Sequence, residues 1–194
     1  MLYRIFRSIA GAAPDAVGGP LFVPRDRQGA GRHDSPGRYG AFYAARTPIA
    51  AVAETIQAFR GRELAEDDLA RADGTALALA ELDDANLDLD RLRDLDDPGV
   101  LVEEAWRPSW VAGRDRAVTQ AMAVRVFEAG GLGLSWWSTL DASWTNVTLF
   151  AERTLAAGLA TARGTPERLT LSHPAVVAAA DHLAIPIVAR RRRR

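Results

Sequence analysis

The sequence predicts an α+β fold in a single compact domain. Three observations carry that expectation. The chain has 194 residues, of which 48% are hydrophobic and 25% charged, enough to bury one core and too little for several. Short alternating stretches are separated by segments whose apolar residues recur at three- and four-residue spacing, so a few strands interleave with helices. No internal repeat or linker divides the chain, and residues 1–189 are read as one domain followed by a basic tail at 190–194.

Leu2 to Phe6 reads as an opening strand. Residues 11–40 follow, rich in Gly, Pro, Asp and Arg and expected to be a long irregular segment, of the length that in compact domains is functional or disordered. Ala41 to Ala45 is a strand. Thr47-Pro48 supplies an N-cap and a first-turn proline for a helix through about Phe59, with Ile49, Val52, Ala53, Ile56 and Phe59 as its apolar stripe. Thr75 to Leu82 alternates as a strand. Residues 86–97 are acidic and predict a short helix, then a turn at Asp97-Pro98-Gly99. Arg114 to Ala129 is the strongest helix, its register set by Val118, Ala121, Met122, Arg125 and Val126 and its end by Gly130-Gly131. Leu132 to Trp137, Asn146 to Ala151 and Arg168 to Leu171 are expected strands, and Pro174 to Leu183 a final helix.

Composition removes whole chemistries. The combined Lys+Arg count of 24 is all arginine, and there is no cysteine. A Schiff-base or phosphate-loop lysine, a thiol nucleophile, a disulfide and a thiolate metal site are therefore excluded. Catalysis must use Arg, Asp/Glu, Ser/Thr/Tyr, three histidines or a bound ion. Setting aside Arg190 to Arg194, the body carries 19 arginines against 25 acids, a net of −6, which argues against general nucleic-acid binding. The terminal run reads as a solvated tail, since it has no interleaved aromatics. Arg4 and Arg7 interrupt any leader-like apolar run, no stretch is long enough to span a membrane, and the expected location is the cytoplasm. The acids Asp88, Asp90, Asp94, Asp96 and Asp97 lack the glycine and terminal glutamate of a calcium loop, so a solvated face is expected there and no metal site.

Three local features could carry chemistry. In Gly31-Arg32-His33-Asp34-Ser35-Pro36-Gly37 an arginine fork could grip a diphosphate or carboxylate at two points, or simply decorate a turn; His33 is a base, a stacking group, a structural residue or an exposed side chain. Glu54 lies on the first helix among apolar neighbours, where it either faces solvent or, turned to a cleft, stabilises positive charge or binds a sugar hydroxyl. Ser138 follows Trp136-Trp137 on an expected strand. Paired tryptophans are core or ligand platform, and no Gly-x-Ser-x-Gly elbow surrounds the serine.

Taken in order, these features resemble the RES domain, a family of NAD-degrading toxins named for Arg, Glu and Ser. Gly31 to Gly37 is similar to its glycine-arginine-aromatic element, Ala41-Phe42-Tyr43-Ala44-Ala45 to its tyrosine strand, and Ala50-Ala51-Val52-Ala53-Glu54 to its glutamate helix. Trp137-Ser138 and Asn146-Val147-Thr148-Leu149-Phe150 match the later aromatic-serine and asparagine elements. The resemblance runs from about residue 2 to residue 151; His33 stands where the family more often has Trp, Phe or Tyr. It implies a split β core like that of ADP-ribosyltransferases and cleavage of the nicotinamide glycosidic bond of NAD, with water or inorganic phosphate as co-substrate and no bound cofactor. It further implies catalytic roles for Arg32, Glu54 and Ser138, ligand contacts from His33, Tyr43 and Asn146, and a small Xre-like antitoxin as partner. A homo-oligomer stays open. The competing readings are a macromolecular ADP-ribosyltransferase and a non-catalytic interaction module.

Overall fold

A computed structural model describes residues 1–161 and 165–189, and the predicted basic tail lies outside the described residues. In chain order the first half contains β1 (Leu2–Ser8), β2 (Ala41–Ala45), α1 (Pro48–Ile56), α2 (Glu66–Leu69), β3 (Ala76–Asp83) and β4 (Leu92–Asp94). Then come α3 (Pro98–Glu103), α4 (Pro108–Val111), α5 (Arg116–Glu128), β5 (Gly133–Trp137) and β6 (Thr145–Phe150). The last elements are α6 (Ala151–Ala156), β7 (Ala160–Thr161), β8 (Glu167–Arg168) and α7 (Pro174–His182). The class is α+β, as the sequence predicts.

Two compact units form among the described residues, one from residues 1–22, 45–82, 161 and 165–189, the other from 23–44 and 83–160. The chain passes between them after Phe22, Ala44, Leu82 and Ala160, which is why no linker is visible in the sequence. In the first unit β1 runs antiparallel to β3 in the register Leu2↔Leu82 through Ser8↔Ala76, and β8 pairs with β3 through Ala78↔Arg168. Ala45, the end of β2, lies opposite Tyr3. Helix α1 starts as expected: the Thr47 hydroxyl accepts from the Ala50 amide and Pro48 fills the first position. Its predicted stripe is broader in fact, with Ala50, Ala51, Val52, Ala53 and Ile56 all buried and Ile49 and Phe59 half-buried, because β1 and α7 both pack on it. A 3-10 turn over residues 57–59 extends it to the predicted end.

The second unit holds a mixed sheet in the order β4-β5-β6-β2. Strands β5 and β6 are antiparallel, with Trp136 opposite Asn146, and β4 runs parallel to β5. Gly133 is required here, because a Cβ would lie 2.2 Å from the Thr148 carbonyl oxygen. The acidic segment predicted as a short helix is instead a 3-10 turn leading into β4, and the predicted turn at Asp97-Pro98-Gly99 begins α3, with the Asp97 carboxylate accepting from the Gly99 amide. Strand β4 is short and polar, so its pattern is invisible; pairing with β5 and a Ser135 Oγ to Asp94 Oδ1 bond at 2.9 Å hold it.

Helix α5 is capped by Asp115, whose carboxylate accepts from the Ala117 and Val118 amides, and Gly130 at φ 89° follows its end. Its buried residues are Thr119, Met122, Ala123 and Val126, whereas the predicted register residues Ala121 and Arg125 are exposed. Arg125 instead pairs with Glu104 and lies over Trp106. The core of this unit gathers Tyr39, Leu95, Leu101, Trp106, Met122, Leu134, Trp136 and Phe150. Arginine forks close the loops in both units. Arg4 donates to the Pro20 and Phe22 carbonyls, both at 2.8 Å, and Arg153 to those of Phe127 and Gly131 at 2.7 and 2.8 Å. Among the described residues no helix is long and apolar enough to cross a membrane.

Candidate functional site

The long irregular segment before β2 is ordered by side chains rather than by regular structure. Gln28 pairs with Ala41 in both directions, its Nε2 donating to the carbonyl at 2.6 Å and its Oε1 accepting from the amide at 2.8 Å. Gln120 on α5 donates to the Gly29 and Gly31 carbonyls, and the Thr119 hydroxyl to that of Arg32 at 2.6 Å. The buried Asp34 carboxylate accepts from the Gly29 and Gly31 amides at 2.8 and 2.7 Å and from the Tyr43 hydroxyl at 2.7 Å. Gly31 is enforced by this packing, since a Cβ would fall 2.5 Å from Asp34 Oδ1 and 2.6 Å from the Tyr43 hydroxyl. Seven of the ten backbone polar groups from Gly29 to His33 are assigned in this way, and the segment is preorganised.

Arg32 is half-buried, not a solvated turn residue. Its Nη1 donates to the Val111 and Gly113 carbonyls at 2.6 and 2.7 Å, and its guanidinium carbon lies 4.9 Å from the centre of the Trp136 ring. Trp136 therefore serves as a platform for the arginine as well as part of the core. His33 is 1% exposed and meets Trp136 edge-on at 5.4 Å, with Nδ1 2.8 Å from the Thr148 hydroxyl. Its backbone is pinned at both ends: the amide donates to the Tyr43 hydroxyl and the carbonyl accepts from that of Tyr39, each at 2.9 Å. Burial, reinforced by the nearby Arg32 and Arg116 charges, lowers the His33 pKa to about 3, so the ring is neutral at physiological pH.

Burial first, and the Asp34 carboxyl with it, raise the Tyr43 phenol above its ordinary pKa. Because that hydroxyl donates to Asp34 and accepts from His33, what Tyr43 has left for a ligand is mainly its ring. Asn146 is buried on β6, opposite Trp136. Ser138, also buried, closes the turn after β5: its amide donates to the Trp144 carbonyl at 2.7 Å and its Oγ accepts from the Leu140 amide at 3.1 Å. Arg32, His33, Tyr43, Ser138 and Asn146 all belong to the second unit, and the first, second and third of these share hydrogen-bonded or stacked neighbours.

Glu54 belongs to the first unit. It is half-buried on α1, and its Oε2 accepts from Gln57 Nε2 at 2.8 Å. Sequence reasoning assigned no role to Asp34, Tyr39, Thr119, Gln120 or Thr148. Asp34 had a signal, an acid three residues after a glycine in a turn-rich stretch, whereas Thr119 and Gln120 act from a helix distant in sequence and left none. Among the described residues no three His, Asp or Glu side chains converge where a metal could sit.

A solved structure similar to this chain is a chain of the crystal structure of the M. tuberculosis MbcT-MbcA toxin-antitoxin complex. It aligns with a TM-score of 0.59 and 17% identity over 94% of this chain and 88% of that one, a likeness of fold. A search of curated proteins finds no match. The sequence profile of the RES domain matches residues 1–172, a span that takes in the arginine loop, the glutamate helix and the serine turn. By that match the chain belongs to the RES domain family.

Proposed function

We propose that this protein cleaves the bond between nicotinamide and ribose in NAD, passing the ADP-ribosyl group to water or inorganic phosphate, and that it acts as the toxin of a toxin-antitoxin pair. Membership of the RES domain family carries this reading. Kinship with the split β core of ADP-ribosyltransferases is part of it. The bond from ribose C1′ to the pyridinium nitrogen breaks, its electron pair neutralises nicotinamide, and an oxocarbenium-like cation is captured by the acceptor oxygen, which releases a proton when the acceptor is water.

The chain's residues fit that chemistry without lysine or thiol. Arg32, its fork already oriented by two carbonyls and the Trp136 face, orients the diphosphate or the nicotinamide ribose. Glu54 stabilises the cation or binds its hydroxyls, and Ser138 positions the ribose. His33, Tyr43 and Asn146 contact the ligand, His33 as a neutral group. Residues 1–189 form the working unit and 190–194 a solvated tail, in the cytoplasm. The partner is a small Xre-like antitoxin, a reading supported by the toxin-antitoxin complex to which the fold is similar.

The test is nicotinamide release from NAD by purified protein freed of any bound partner, with and without phosphate. Release is expected, and Arg32→Ala or Glu54→Ala lowers it about a hundredfold or more. No release under either condition overturns the reading. Label carried from NAD onto a protein or nucleic acid, in place of free ADP-ribose or its 1-phosphate, would instead make it a macromolecular ADP-ribosyltransferase.

A further inference from the structure

We propose that Thr148 is a positioning residue that holds His33 in one tautomer, with its proton on Nε2, and so makes a neutral imidazole a directional hydrogen-bond donor toward an oxygen of the substrate. Thr148 is fully buried on β6, with Oγ1 2.8 Å from His33 Nδ1 and 3.4 Å from Trp136 Nε1. An indole N–H can only donate, so it takes a lone pair of Oγ1. The hydroxyl's single proton then needs an acceptor. Among the described residues the one other group within hydrogen-bonding distance of Oγ1 is His33 Nδ1.

If Nδ1 carried the ring proton, Oγ1 would face two donors and its own proton would be buried without a partner, which buried polar groups avoid. Nδ1 therefore accepts and Nε2 carries the proton. The ring cannot turn to escape this, since the His33 backbone is pinned by Tyr43 and Tyr39 and the ring packs edge-on against Trp136. Nε2–H meets no acceptor among the described residues, which leaves it for a ligand. The charged and titratable groups around it, Arg32, Arg116, Asp34, Tyr39 and Tyr43, include two arginines that oppose a second ring proton. His33 is thus a donor without charge, suited to a ribose hydroxyl or carboxamide oxygen. That choice of ligand rests on the NAD reading; the tautomer does not.

Two measurements separate them. Long-range proton–nitrogen correlation spectra of histidine-labelled protein, with His33 assigned by its loss in His33→Gln, report which ring nitrogen is protonated. Wild type and Thr148→Ser are expected to show Nε2–H, and the nearly isosteric Thr148→Val a mixture. Nicotinamide release should fall about tenfold in kcat/KM for Thr148→Val, the scale of one misdirected hydrogen bond, with Thr148→Ser restoring it; because Thr148→Val also strands the Trp136 and His33 ring nitrogens and lowers the urea midpoint, release is compared at a temperature where circular dichroism shows both variants fully folded. Nδ1–H in the wild type, or undiminished Nε2–H in Thr148→Val, overturns the proposal. A wild type that shows Nε2–H yet releases no nicotinamide overturns the NAD reading and leaves the tautomer standing.

Discussion

Burying His33 as a neutral ring makes the second unit sensitive to acid, and the size of the effect follows from two numbers. The folded pKa is about 3 and the unfolded one about 6.5, so between them the unfolded chain binds a proton the folded chain refuses. Stability from this group is complete above about pH 6.5 and drains as pH falls toward 3. Between pH 7.5 and pH 5 the loss integrates to about 2 kcal/mol, and it stays near that for any folded value below about 4. The assay is urea unfolding at the two pH values, followed by tryptophan fluorescence, for wild type and His33→Gln. All five tryptophans lie in the second unit and His173 and His182 lie in the first, so the signal reports the unit that holds His33. The pH-dependent part of the wild-type loss should shrink by about 2 kcal/mol in the variant, while carboxylate titrations common to both cancel. A difference below about 0.5 kcal/mol would mean that His33 is protonated in the folded protein and would refute the buried neutral ring.

Three further outcomes test how the arginine loop is held. Gly31→Ala should destabilise by about 1–3 kcal/mol, read as a lower urea midpoint, because its Cβ collides with the Asp34 carboxylate and the Tyr43 hydroxyl, both already fixed by hydrogen bonds. Tyr43→Phe strips the acceptor from the buried His33 amide and a donor from Asp34; a cost of about 1–3 kcal/mol and faster exchange of the His33 amide proton are expected, and unchanged exchange would contradict it. Asp115→Ala removes the cap of α5 and should cost about 1 kcal/mol, with Asp115→Asn recovering most of it in the same titration.

Local signals were legible where one short stretch contained the whole cause. Thr47-Pro48 opens α1 because both the cap and the proline act within one turn. The same logic at Asp97-Pro98 starts α3, but the glycine that follows reads equally well as a turn, and only the structure separates the two. Strand β4 could not be read, since its order comes from parallel pairing with a strand some 40 residues later. The register of α5 misled for a related reason: Arg125 looks amphipathic on a helical wheel, yet Glu104 and Trp106 draw it outward. At the site, Gly31, Arg32 and Tyr43 were visible as a motif. Their supports Thr119, Gln120 and Thr148 were not, because each reaches the loop from another element.

The arginine forks at Arg4, Arg32 and Arg153 can be seen as non-covalent cross-links in a chain that has no cysteine. They tie carbonyls 16 and 18, 79 and 81, and 26 and 22 residues away. A disulfide stabilises mainly by restricting the unfolded chain, whereas these links vanish on unfolding and contribute only to the folded state. The fold therefore gains loop closure that a reducing environment cannot undo, and refolding meets no pairing problem. At Arg4 the two carbonyls are met by Nη1 and Nη2 separately, a planar span that a single ammonium lacks, whereas at Arg32 and Arg153 one nitrogen serves both carbonyls.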